Sequence, residues 1–561
     1  MPVASIRIIH TSDIHGCLFP YDFYHKEDAT GSISRVKTYV DSLRKVYGEN
    51  LLLLDSGDIL QGQPTFFYSS FIEPQHGNLA AKVMNLMQYD CIAIGNHDIE
   101  TGHAVYDKFR EELSCPLLAA NIINTKTGEP YFKPYHIIRR QGIKIAVIGM
   151  MTPTISYWLD EKLWEGMKLL SIKECASMYV SMVKEREKPD IIIGLFHSGW
   201  EGGLSLQQIK ENVVREIAET TEDFDLILFG HDHKACCKSI INKTGKKVFC
   251  VNPSSDANMV GDIEICIEKN TSVSHKNTNL DIEINAKLVS MAEINPDEDL
   301  VQKYNADYQK TSDFTRKEIC KTRKTIRTRD CYFGSAPFTD FIHYIQMDIS
   351  GADISFTAPL SYDETIYPGS ICIGDLFNMY KYENLIYALS MKGTEIVNYL
   401  EMSYDLWVNT MHSAEDGIMK TQTFTMGNRT YTFFKNLVFN FDSAAGIIYT
   451  VDVSKSVGNR IKILSMADGR PFLPDAFYKV AMHSYRGNGG TEFLTKGAGI
   501  PHHILKERII FKSARDMRYY MMRELEKYGD KHIEALNNWK FIPEEWTLGA
   551  IERDRAAIFH D

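Results

Sequence analysis

Clusters of oxygen and nitrogen side chains recur in the N-terminal half of the chain, and each follows a short apolar run. The clusters are Asp13-Ile14-His15, Asp55-Ser56-Gly57-Asp58, Asn96-His97-Asp98, His197-Ser198-Gly199 and His231-Asp232-His233. Carboxylate, amide oxygen and imidazole are ligands that suit divalent cations such as Mn and Zn. No cysteine occupies a ligand position in these clusters, so the sequence does not indicate a thiolate site.

Two divalent cations held close together are suited to the hydrolysis of phosphate esters. When the cations lie about 3.5–4 Å apart, they activate a water at neutral pH and neutralise the charge that develops on the phosphoryl oxygens. A single Asp-x-His or Gly-His-x-His pattern is weak evidence, because either one is common in ordinary turns. The ordered series of clusters, each at the end of an apolar run, predicts a two-metal phosphohydrolase.

The apolar runs predict the strands that position these clusters. They are IRII from Ile6, LLLL from Leu51, CIAI from Cys91, IKIAVIG from Ile143, IIIGLF from Ile191 and LILF from Leu226. Continuous runs of this length are typical of strands covered on both faces, and stretches with helical periodicity such as 34–46 lie between them. The alternation predicts a layered α/β domain whose ligands lie at the carboxyl ends of its strands.

The composition is that of a globular chain with more than one domain. Of its 561 residues, 44% are hydrophobic and 24% are charged, and the formal net charge is -11. Nucleic-acid polymers and anionic membranes require a basic surface, so we expect a small phosphorylated substrate and no polymer partner. The 11 cysteines are scattered without a CxxC pair and predict free thiols.

The sequence also carries expectations about compartment and assembly. No stretch is apolar for long enough to span a bilayer. The chain reaches an apolar strand at Ile6 without a charged and apolar leader, so the sequence as it stands predicts a cytoplasmic protein. Prior removal of a signal would instead make the protein periplasmic or exported. A monomer is the default expectation.

Changes in composition along the chain predict its domain organisation. The predicted order is an N-terminal domain, a charged linker helix, a second domain and a C-terminal tail, which span residues 1–290, 291–329, 330–530 and 531–561. The tail contains Trp539 and Trp546, so we expect it to pack back on the protein. The polar stretch from Asn270 to Asp281 predicts a loop at the edge of the first domain.

The motif set of the first domain resembles the calcineurin-like metallophosphoesterase signature. It consists of Asp13-x-His15, Gly57-Asp58, Gly95-Asn96-His97-Asp98, His197 and Gly230-His231-x-His233. The resemblance implies a four-layer β-sandwich flanked by helices and a pair of divalent cations, Mn, Zn or Co. It implies that one cation is held by Asp13, His15, Asp58 and His233. The other would be held by Asp58, Asn96, His197 and His231, with Asp58 shared.

The same resemblance assigns the catalytic residues. It implies that His97 is the general acid or the stabiliser of the transition state, and we group Asp98 with it as a catalytic candidate. In the nucleotidase branch an acidic residue three positions after this histidine, usually Asp, orients the imidazole. Glu100 occupies that position here, and we expect its longer side chain to serve instead.

The second domain resembles the α/β substrate-binding domain of the 5′-nucleotidase and 2′,3′-cyclic-nucleotide phosphodiesterase family. The resemblance is carried by Gly351-Ala352-Asp353-Ile354-Ser355, Gly374-Asp375-Leu376, Leu389-Ser390-Met391-Lys392-Gly393, Asn440-Phe441-Asp442 and Tyr485-Arg486-Gly487-Asn488-Gly489-Gly490. In that family two aromatic rings sandwich the base, which implies a nucleotide substrate. Stacking of this kind accepts any base, because every base has a π face.

The resemblance implies specific contacts in the second domain. Phe441 and Tyr485 match the two stacking rings, and Phe439 could replace Phe441 because it lies on the same face of a predicted alternating strand. Phenylalanines that fill a core are the competing interpretation. Arg486 is either a phosphate or ribose contact or a surface arginine. Asn488 and Gly489 complete the predicted substrate site, since the glycines allow close backbone approach.

One departure from the family pattern bears on the bond that is cleaved. The 5′-nucleotidase branch typically has Asn-Gly-Gly-x-Arg after the Gly-Ala-Asp strand, whereas residues 355–360 here read Ser-Phe-Thr-Ala-Pro-Leu. This stretch resembles the cyclic-phosphodiesterase and 3′-nucleotidase branch. We therefore predict a metal-dependent phosphoric ester hydrolase that releases nucleoside and phosphate from nucleotides. The alternatives are a 5′-nucleotidase, a UDP-sugar or dinucleotide pyrophosphatase, and a non-catalytic nucleotide-binding protein.

Overall fold

The structure is a computed structural model that describes residues 4–206, 209–269, 280–426 and 429–560. The chain divides into two compact units, Met1–Phe314 and Thr315–Asp561. Most of the predicted loop between Asn270 and Asp281 lies outside the described residues. Within the described ranges, no helix combines the length and the apolar character needed to cross a membrane.

Strands and helices alternate along the first unit. Its strands are β1 (Ala4–Thr11), β2 (Tyr21–Asp22), β3 (Glu27–Asp28), β4 (Leu51–Asp55), β5 (Cys91–Ala93), β6 (Leu117–Leu118), β7 (Ile122–Asn124), β8 (Tyr135–Arg140), β9 (Ile143–Met151), β10 (Met167–Leu169), β11 (Ile191–His197), β12 (Gly202–Leu206), β13 (Ile209–Asn212), β14 (Leu226–Phe229), β15 (Cys236–Ile241), β16 (Lys247–Asn252), β17 (Met259–Lys269) and β18 (Leu280–Ser290). Its helices are α1 (Ile33–Tyr47), α2 (Pro64–Phe67), α3 (Leu79–Met87), α4 (Asn96–Glu100), α5 (His103–Glu112), α6 (Ile155–Trp158), α7 (Ile172–Arg186), α8 (Val214–Thr220), α9 (Glu298–Lys303) and α10 (Asn305–Arg316).

Two sheets pack face to face in this unit. One has the strand order β18-β17-β1-β4-β5-β6 and the other has the order β15-β16-β14-β11-β9-β8. Side chains from both sheets, including Ile8, Leu54, Val147 and Leu195, are fully buried in one cluster between them. Each such burial contributes roughly 1.5–3 kcal/mol before other terms oppose it. Helices α1 and α7 pack on the outer faces, so the predicted layered α/β sandwich is confirmed.

Parallel pairing brings the ligand clusters to one end of each sheet. Strand β1 pairs in parallel with β4, with Thr11 opposite Asp55, and β4 pairs in parallel with β5. In the other sheet, β11 pairs in parallel with both β9 and β14. Because neighbouring parallel strands end on the same side, the residues that follow them meet at the carboxyl edges of the two sheets.

The second unit also mixes strands and helices. Its strands are β19 (Glu318–Thr322), β20 (Ile326–Arg327), β21 (Ile354–Thr357), β22 (Thr365–Ile366), β23 (Gly369–Cys372), β24 (Leu385–Lys392), β25 (Thr421–Met426), β26 (Arg429–Phe434), β27 (Ser443–Ala445), β28 (Ile447–Asp452), β29 (Ile461–Met466), β30 (Phe477–His483), β31 (Ile509–Asp516) and β32 (Trp539–Ile542). Its helices are α11 (Pro337–Ser350), α12 (Ile373–Met379), α13 (Gly393–Trp407), α14 (Ser484–Gly487), α15 (Leu505–Arg508), α16 (Met517–Tyr528) and α17 (Glu544–Phe559).

The core of the second unit is rich in aromatic rings and includes the end of the chain. Its larger sheet has the order β27-β21-β30-β24-β31, and β32 pairs in parallel with β28 so that Trp539 lies opposite Tyr449. Trp539 and Tyr404 belong to the same buried cluster, as do Ala550 and Ile558 of α17. The predicted tail, residues 531–561, therefore lies within the second unit.

The charged segment 291–329 differs from the single linker helix that the sequence predicts. Two helices, α9 and α10, occupy its first part, and the strands β19 and β20 follow. Helix α9 begins where Asp297 Oδ1 accepts a hydrogen bond from the Leu300 amide at 2.8 Å. Strand β19 pairs with β23. The density of charged residues did not indicate this strand, because its pairing partner is distant in sequence. The division between the two units falls within α10.

We predict that Trp539→Ala destabilises the second unit. The ring lies 5.9 Å from the Tyr449 ring and 5.2 Å from the Phe541 ring, between centroids. Its loss leaves a cavity, so the free energy of unfolding should fall by about 3–5 kcal/mol in denaturant titrations followed by circular dichroism. The control is Lys540→Ala on the same strand, whose side chain is exposed. Equal effects of the two substitutions would contradict this account of the core.

Candidate functional site

The predicted metal ligands converge at the carboxyl edges of the two sheets. Their side chains form two groups that share Asp58, and within each group the ligand atoms lie within 4.8 Å of one another. The groups are Asp13, His15, Asp58 and His233, and Asp58, His197 and His231. Asn96, the first residue of α4, adjoins the second group, because its Oδ1 is 3.0 Å from His197 Nε2. The structure thus brings together every residue predicted to ligate a cation.

The ligand loops adopt unusual backbone conformations. The predicted ligands with left-handed φ are Asp13 (49°), His15 (48°), Asp58 (61°), His231 (79°) and His233 (54°). A residue with a β-carbon rarely adopts this conformation, and each instance costs on the order of 1–3 kcal/mol unless its surroundings hold it. Strain concentrated at these ligand positions is typical of a functional site.

Unsatisfied donors and acceptors at the site fit a pair of divalent cations. His15 Nε2 and His233 Nε2 face each other at 3.0 Å, and two imidazole nitrogens at this distance need a proton or a cation between them. Asp58 Oδ2 is buried and has no hydrogen-bond partner among the described residues, although His197 Nε2 is 3.1 Å away. Buried carboxylates normally find partners. Cations coordinated by these atoms would satisfy both observations.

The charges of the site also favour the binding of cations. Burial alone would lower the pKa of His197, but the Asp58 carboxylate raises it to about 9. Burial would raise the pKa of Asp58, but the imidazoles of His197 and His97 hold it well below its usual range. The site therefore attracts positive charge, which either protons or metal ions can supply.

Asp98 holds the loop that carries Asp58, and its side chain is not accessible to a substrate. Its carboxylate is fully buried and accepts hydrogen bonds from the backbone amides of Asp58, Ile59, Leu60 and Gly95, at 2.8 to 3.0 Å. These bonds account for both carboxylate oxygens. The grouping of Asp98 with the catalytic residues is corrected on this ground, because a wholly buried side chain cannot act on a substrate.

His97 and Glu100 form a hydrogen-bonded pair. His97 Nδ1 lies 2.5 Å from Glu100 Oε2, across one turn of α4, and His97 remains partly exposed. Burial opposes protonation, but the carboxylates of Asp58 and Glu100 raise the pKa of His97 to about 10. The longer side chain of Glu100 thus reaches the imidazole that it was expected to orient.

The structure adds partners that the sequence motifs did not reveal. The carbonyl oxygens of Gln61 and Ser56 lie 3.0 Å from His15 Nδ1 and 2.8 Å from His197 Nδ1. His231 Nε2 lies 2.9 Å from Glu211 Oε1, and this contact lowers the pKa of Glu211 although burial would raise it. Ser56 lies within a recognised motif, whereas Glu211 belongs to none and no sequence signal indicated it.

Phe441 lies in the core of the second unit. Its ring is 0% exposed and stacks on Trp407, with centroids 5.4 Å apart and planes 3° from parallel. The prediction that Phe441 stacks on a base is therefore wrong, since a base cannot reach a ring that is covered on all sides. Residues 438–440 form a 3₁₀ turn instead of the predicted alternating strand, so Phe439 and Phe441 do not share a face.

Arg486 is a buried structural arginine. Its side chain is 1% exposed, and its guanidinium donates to both oxygens of Asp442 at 3.0 Å and to the Phe439 carbonyl oxygen at 2.8 Å. The predicted phosphate or ribose contact is corrected, and so is the surface alternative. Nη1 of the same guanidinium donates to Asn440 and Thr491, so protein acceptors take the donors that a phosphate would need.

The remaining predicted substrate contacts surround this ion pair. Phe439, whose carbonyl binds Arg486, and Tyr485, which precedes Arg486, are both partly exposed. Asn488 is also partly exposed, and Gly489 is buried with φ +100°. A β-carbon at position 489 would lie only 2.9 Å from Leu505 Cδ1, so this position favours glycine. Phe439 and Tyr485 stay the predicted base-stacking rings.

Comparison with known proteins adds to this geometry. The profile of the family described as calcineurin-like phosphoesterase matches residues 6–235, and the profile described as 5′-nucleotidase, C-terminal domain, matches residues 315–496. Residues 6–235 thus form a calcineurin-like phosphoesterase domain, and residues 315–496 form a 5′-nucleotidase C-terminal domain. The predicted family and the predicted class of phosphoester hydrolase are confirmed. Calcineurin-like phosphoesterases use a dinuclear divalent metal centre, and this phosphoesterase has a candidate Asp/His cluster for one.

Individual relatives are similar along nearly the whole phosphoesterase. The trifunctional nucleotide phosphoesterase protein YfkN of Bacillus subtilis is 26% identical over 97% of this chain, which spans 39% of that protein. A 2′,3′-cyclic-nucleotide 2′-phosphodiesterase/3′-nucleotidase of Salmonella typhimurium is 26% identical over 96% of this chain and 89% of its own length. A 5′-nucleotidase precursor from Thermus thermophilus has a similar fold, with a TM-score of 0.65, 17% identity and coverage of 96% of this chain and 100% of that one.

We predict opposite roles for two phenylalanines of the nucleotidase domain. Phe441→Ala should lower the free energy of unfolding by about 3–5 kcal/mol, because the ring fills a core position against Trp407. Phe439→Ala is the matched substitution on a partly exposed ring, and it should lower that energy by only about 1 kcal/mol. Equilibrium unfolding in urea measures both. A larger loss for Phe439→Ala would contradict the placement of the two rings.

Proposed function

We propose that this phosphoesterase hydrolyses nucleotide phosphoesters at two divalent cations held at the carboxyl edges of its sandwich. The observation that carries the proposal is the pair of ligand groups that share the buried Asp58 carboxylate. The nucleotidase domain in the same chain supports nucleotides as the substrate class. An arrangement in which one carboxylate serves two cations is suited to phosphate ester hydrolysis.

Residues on both sheets would hold the cations. We assign Asp13, His15, Asp58 and His233 to the first cation. We assign Asp58, Asn96, His197 and His231 to the second. Their oxygen and imidazole donors favour Mn, Zn or Co. When bound, the cations would lower the pKa of a water and neutralise the charge on the phosphoryl oxygens.

His97 would act on the leaving group. Glu100 accepts from Nδ1–H at 2.5 Å, which leaves Nε2 as the nitrogen that presents a proton toward the ester. The Glu100 carboxylate favours the protonated imidazole, so His97 is suited to donate a proton to the departing oxygen. Glu100 therefore orients the ring and stabilises its charge.

The preferred bond is that of a 2′,3′-cyclic phosphodiester or a 3′-monophosphate. The name of the Salmonella relative, which is similar over most of both chains, supports this choice. So does the stretch Ser355-Phe356-Thr357-Ala358-Pro359-Leu360, where the 5′-nucleotidase branch has its phosphate-binding arginine. Phe439 and Tyr485 would stack on the base, which makes the site tolerant of base identity.

A substrate panel with metal removal tests the proposed function. The metal-free chain loaded with Mn²⁺ should release phosphate from 3′-AMP and open 2′,3′-cyclic AMP faster than it hydrolyses AMP, UDP-glucose or single-stranded DNA. EDTA should abolish the activity and Mn²⁺ should restore it, since the ligand groups alone carry no nucleophile. Absence of hydrolysis of every substrate, with bound metal verified, would overturn the enzymatic proposal. Faster hydrolysis of AMP would overturn only the choice of bond.

Three substitutions should reduce kcat/KM in a fixed order. Asp58→Asn removes the carboxylate shared by both ligand groups and should reduce it most. His97→Asn should reduce it by about 10²–10⁴-fold, the usual contribution of a proton donor. Glu100→Gln should have a smaller effect, because the imidazole stays in place but loses its charged partner. Glu161→Gln, an exposed glutamate, is the control. Equal and mild losses for all three would refute these roles.

A further inference from the structure

Glu211 is an acidic residue outside the motifs, yet its side chain contacts a predicted metal ligand. It lies on β13, which pairs with β12. Its Oε1 is 2.9 Å from His231 Nε2, and its Oε2 accepts from the Leu204 amide at 2.6 Å. The side chain of Glu211 is 19% exposed and that of His231 is 10% exposed. Both carboxylate oxygens are therefore committed to defined partners.

The contact determines which ring nitrogen of His231 carries a hydrogen toward Glu211. A carboxylate accepts hydrogen bonds and does not donate them, so His231 Nε2 must carry the hydrogen in this pair. The lone pair of the neutral ring then lies on Nδ1, which is the nitrogen left to bind a cation. A hydrogen-bonded carboxylate also increases the basicity of a ligating histidine.

Hydrogen bonds join the strand that carries Glu211 to the residues that follow His197, which belongs to the same ligand group as His231. Ser198 Oγ, immediately after His197, donates to the Glu211 carbonyl oxygen at 2.7 Å. The Gly199 amide donates to Asn212 Oδ1 at 2.8 Å. Glu211 is thereby held against the loop that follows His197. His15, in the other ligand group, binds the Gln61 carbonyl oxygen and has no contact with this strand among those described.

We propose that Glu211 is a positioning residue for the second cation, the one assigned to Asp58, Asn96, His197 and His231. It holds His231 with hydrogen on Nε2 and leaves Nδ1 as the ligand atom. The inference rests on the proposed dinuclear centre and adds a residue that sets the relative affinity of its two sites. Loss of Glu211 therefore weakens the second cation and spares the first.

Stepwise Mn²⁺ binding to the full-length, metal-free protein tests this role. Electron paramagnetic resonance distinguishes free and isolated Mn²⁺ from an exchange-coupled pair, so both binding steps are followed in one titration without an activity assay. The variants are Glu211→Ala, Glu211→Gln and the control Glu201→Gln. Glu201 lies just before β12, pairs with Arg215 and has a side chain that is 58% exposed.

The proposal predicts a selective effect on the second step. Glu211→Ala should weaken the second Mn²⁺ by about 10–100-fold, the usual effect of removing such a partner, and leave the first within about twofold. Glu211→Gln should recover only part of the loss, because its single amide oxygen can accept from Nε2–H or from the Leu204 amide, but not from both. The control should match the wild type in both steps.

Other outcomes overturn the proposal in distinguishable ways. An unchanged second step in Glu211→Ala would show that His231 needs no such partner. Equal weakening of both steps would assign Glu211 to the fold of the unit and not to His231. If the wild type itself binds only one Mn²⁺, the dinuclear centre fails, and the role of Glu211 fails with it.

Discussion

The shared Asp58 carboxylate is the constraint on which the arrangement of the first unit depends. It belongs to both ligand groups, and the backbone of Asp58 is held at φ 61°. Its Oδ1 accepts from the His97 amide at 2.8 Å, its carbonyl oxygen accepts from the His15 amide at 3.0 Å, and its amide donates to Asp98. A β-carbon at Gly95 would overlap this carboxylate. Ligands on different strands are therefore placed relative to one residue, and displacement of that residue would disturb both groups together.

The strain and charge at this edge lie on loops that are anchored by the buried strands of the sandwich. The strands that precede the ligand loops are buried on both faces, so their ends are fixed whatever the loops require. Left-handed residues and crowded carboxylates raise the free energy of the metal-free state. Cations that bound only the folded state would offset this cost by mass action. The same features that make the site unfavourable without metal thus favour its occupancy.

The sequence predicted the ligand clusters that recur at the ends of strands, and it missed contacts that occur only once. Residues at the ends of neighbouring parallel strands lie close together, because the sheet fixes where those strands end. Asp13, His197 and their partners could therefore be predicted to converge. Glu211 reaches His231 through a hairpin contact that no spacing rule describes. Phe441 was misassigned because a motif match does not indicate whether a ring is buried. The alternating pattern likewise did not reveal the 3₁₀ turn that includes Phe439. Arg486 was misassigned because a sequence does not indicate whether a charge is buried with its partner.

That buried arginine has a structural consequence for the two rings that are proposed to stack on a base. A buried ion pair often adds little net stability over apolar residues of equal volume, because desolvation opposes the attraction. Its effect lies instead in geometry. Arg486 binds Asp442 and the carbonyl oxygen of Phe439, and its own backbone continues from Tyr485. The backbones of Phe439 and Tyr485 are therefore held by one buried ion pair, and this would lower the cost of ordering their side chains if they stack on a base as proposed.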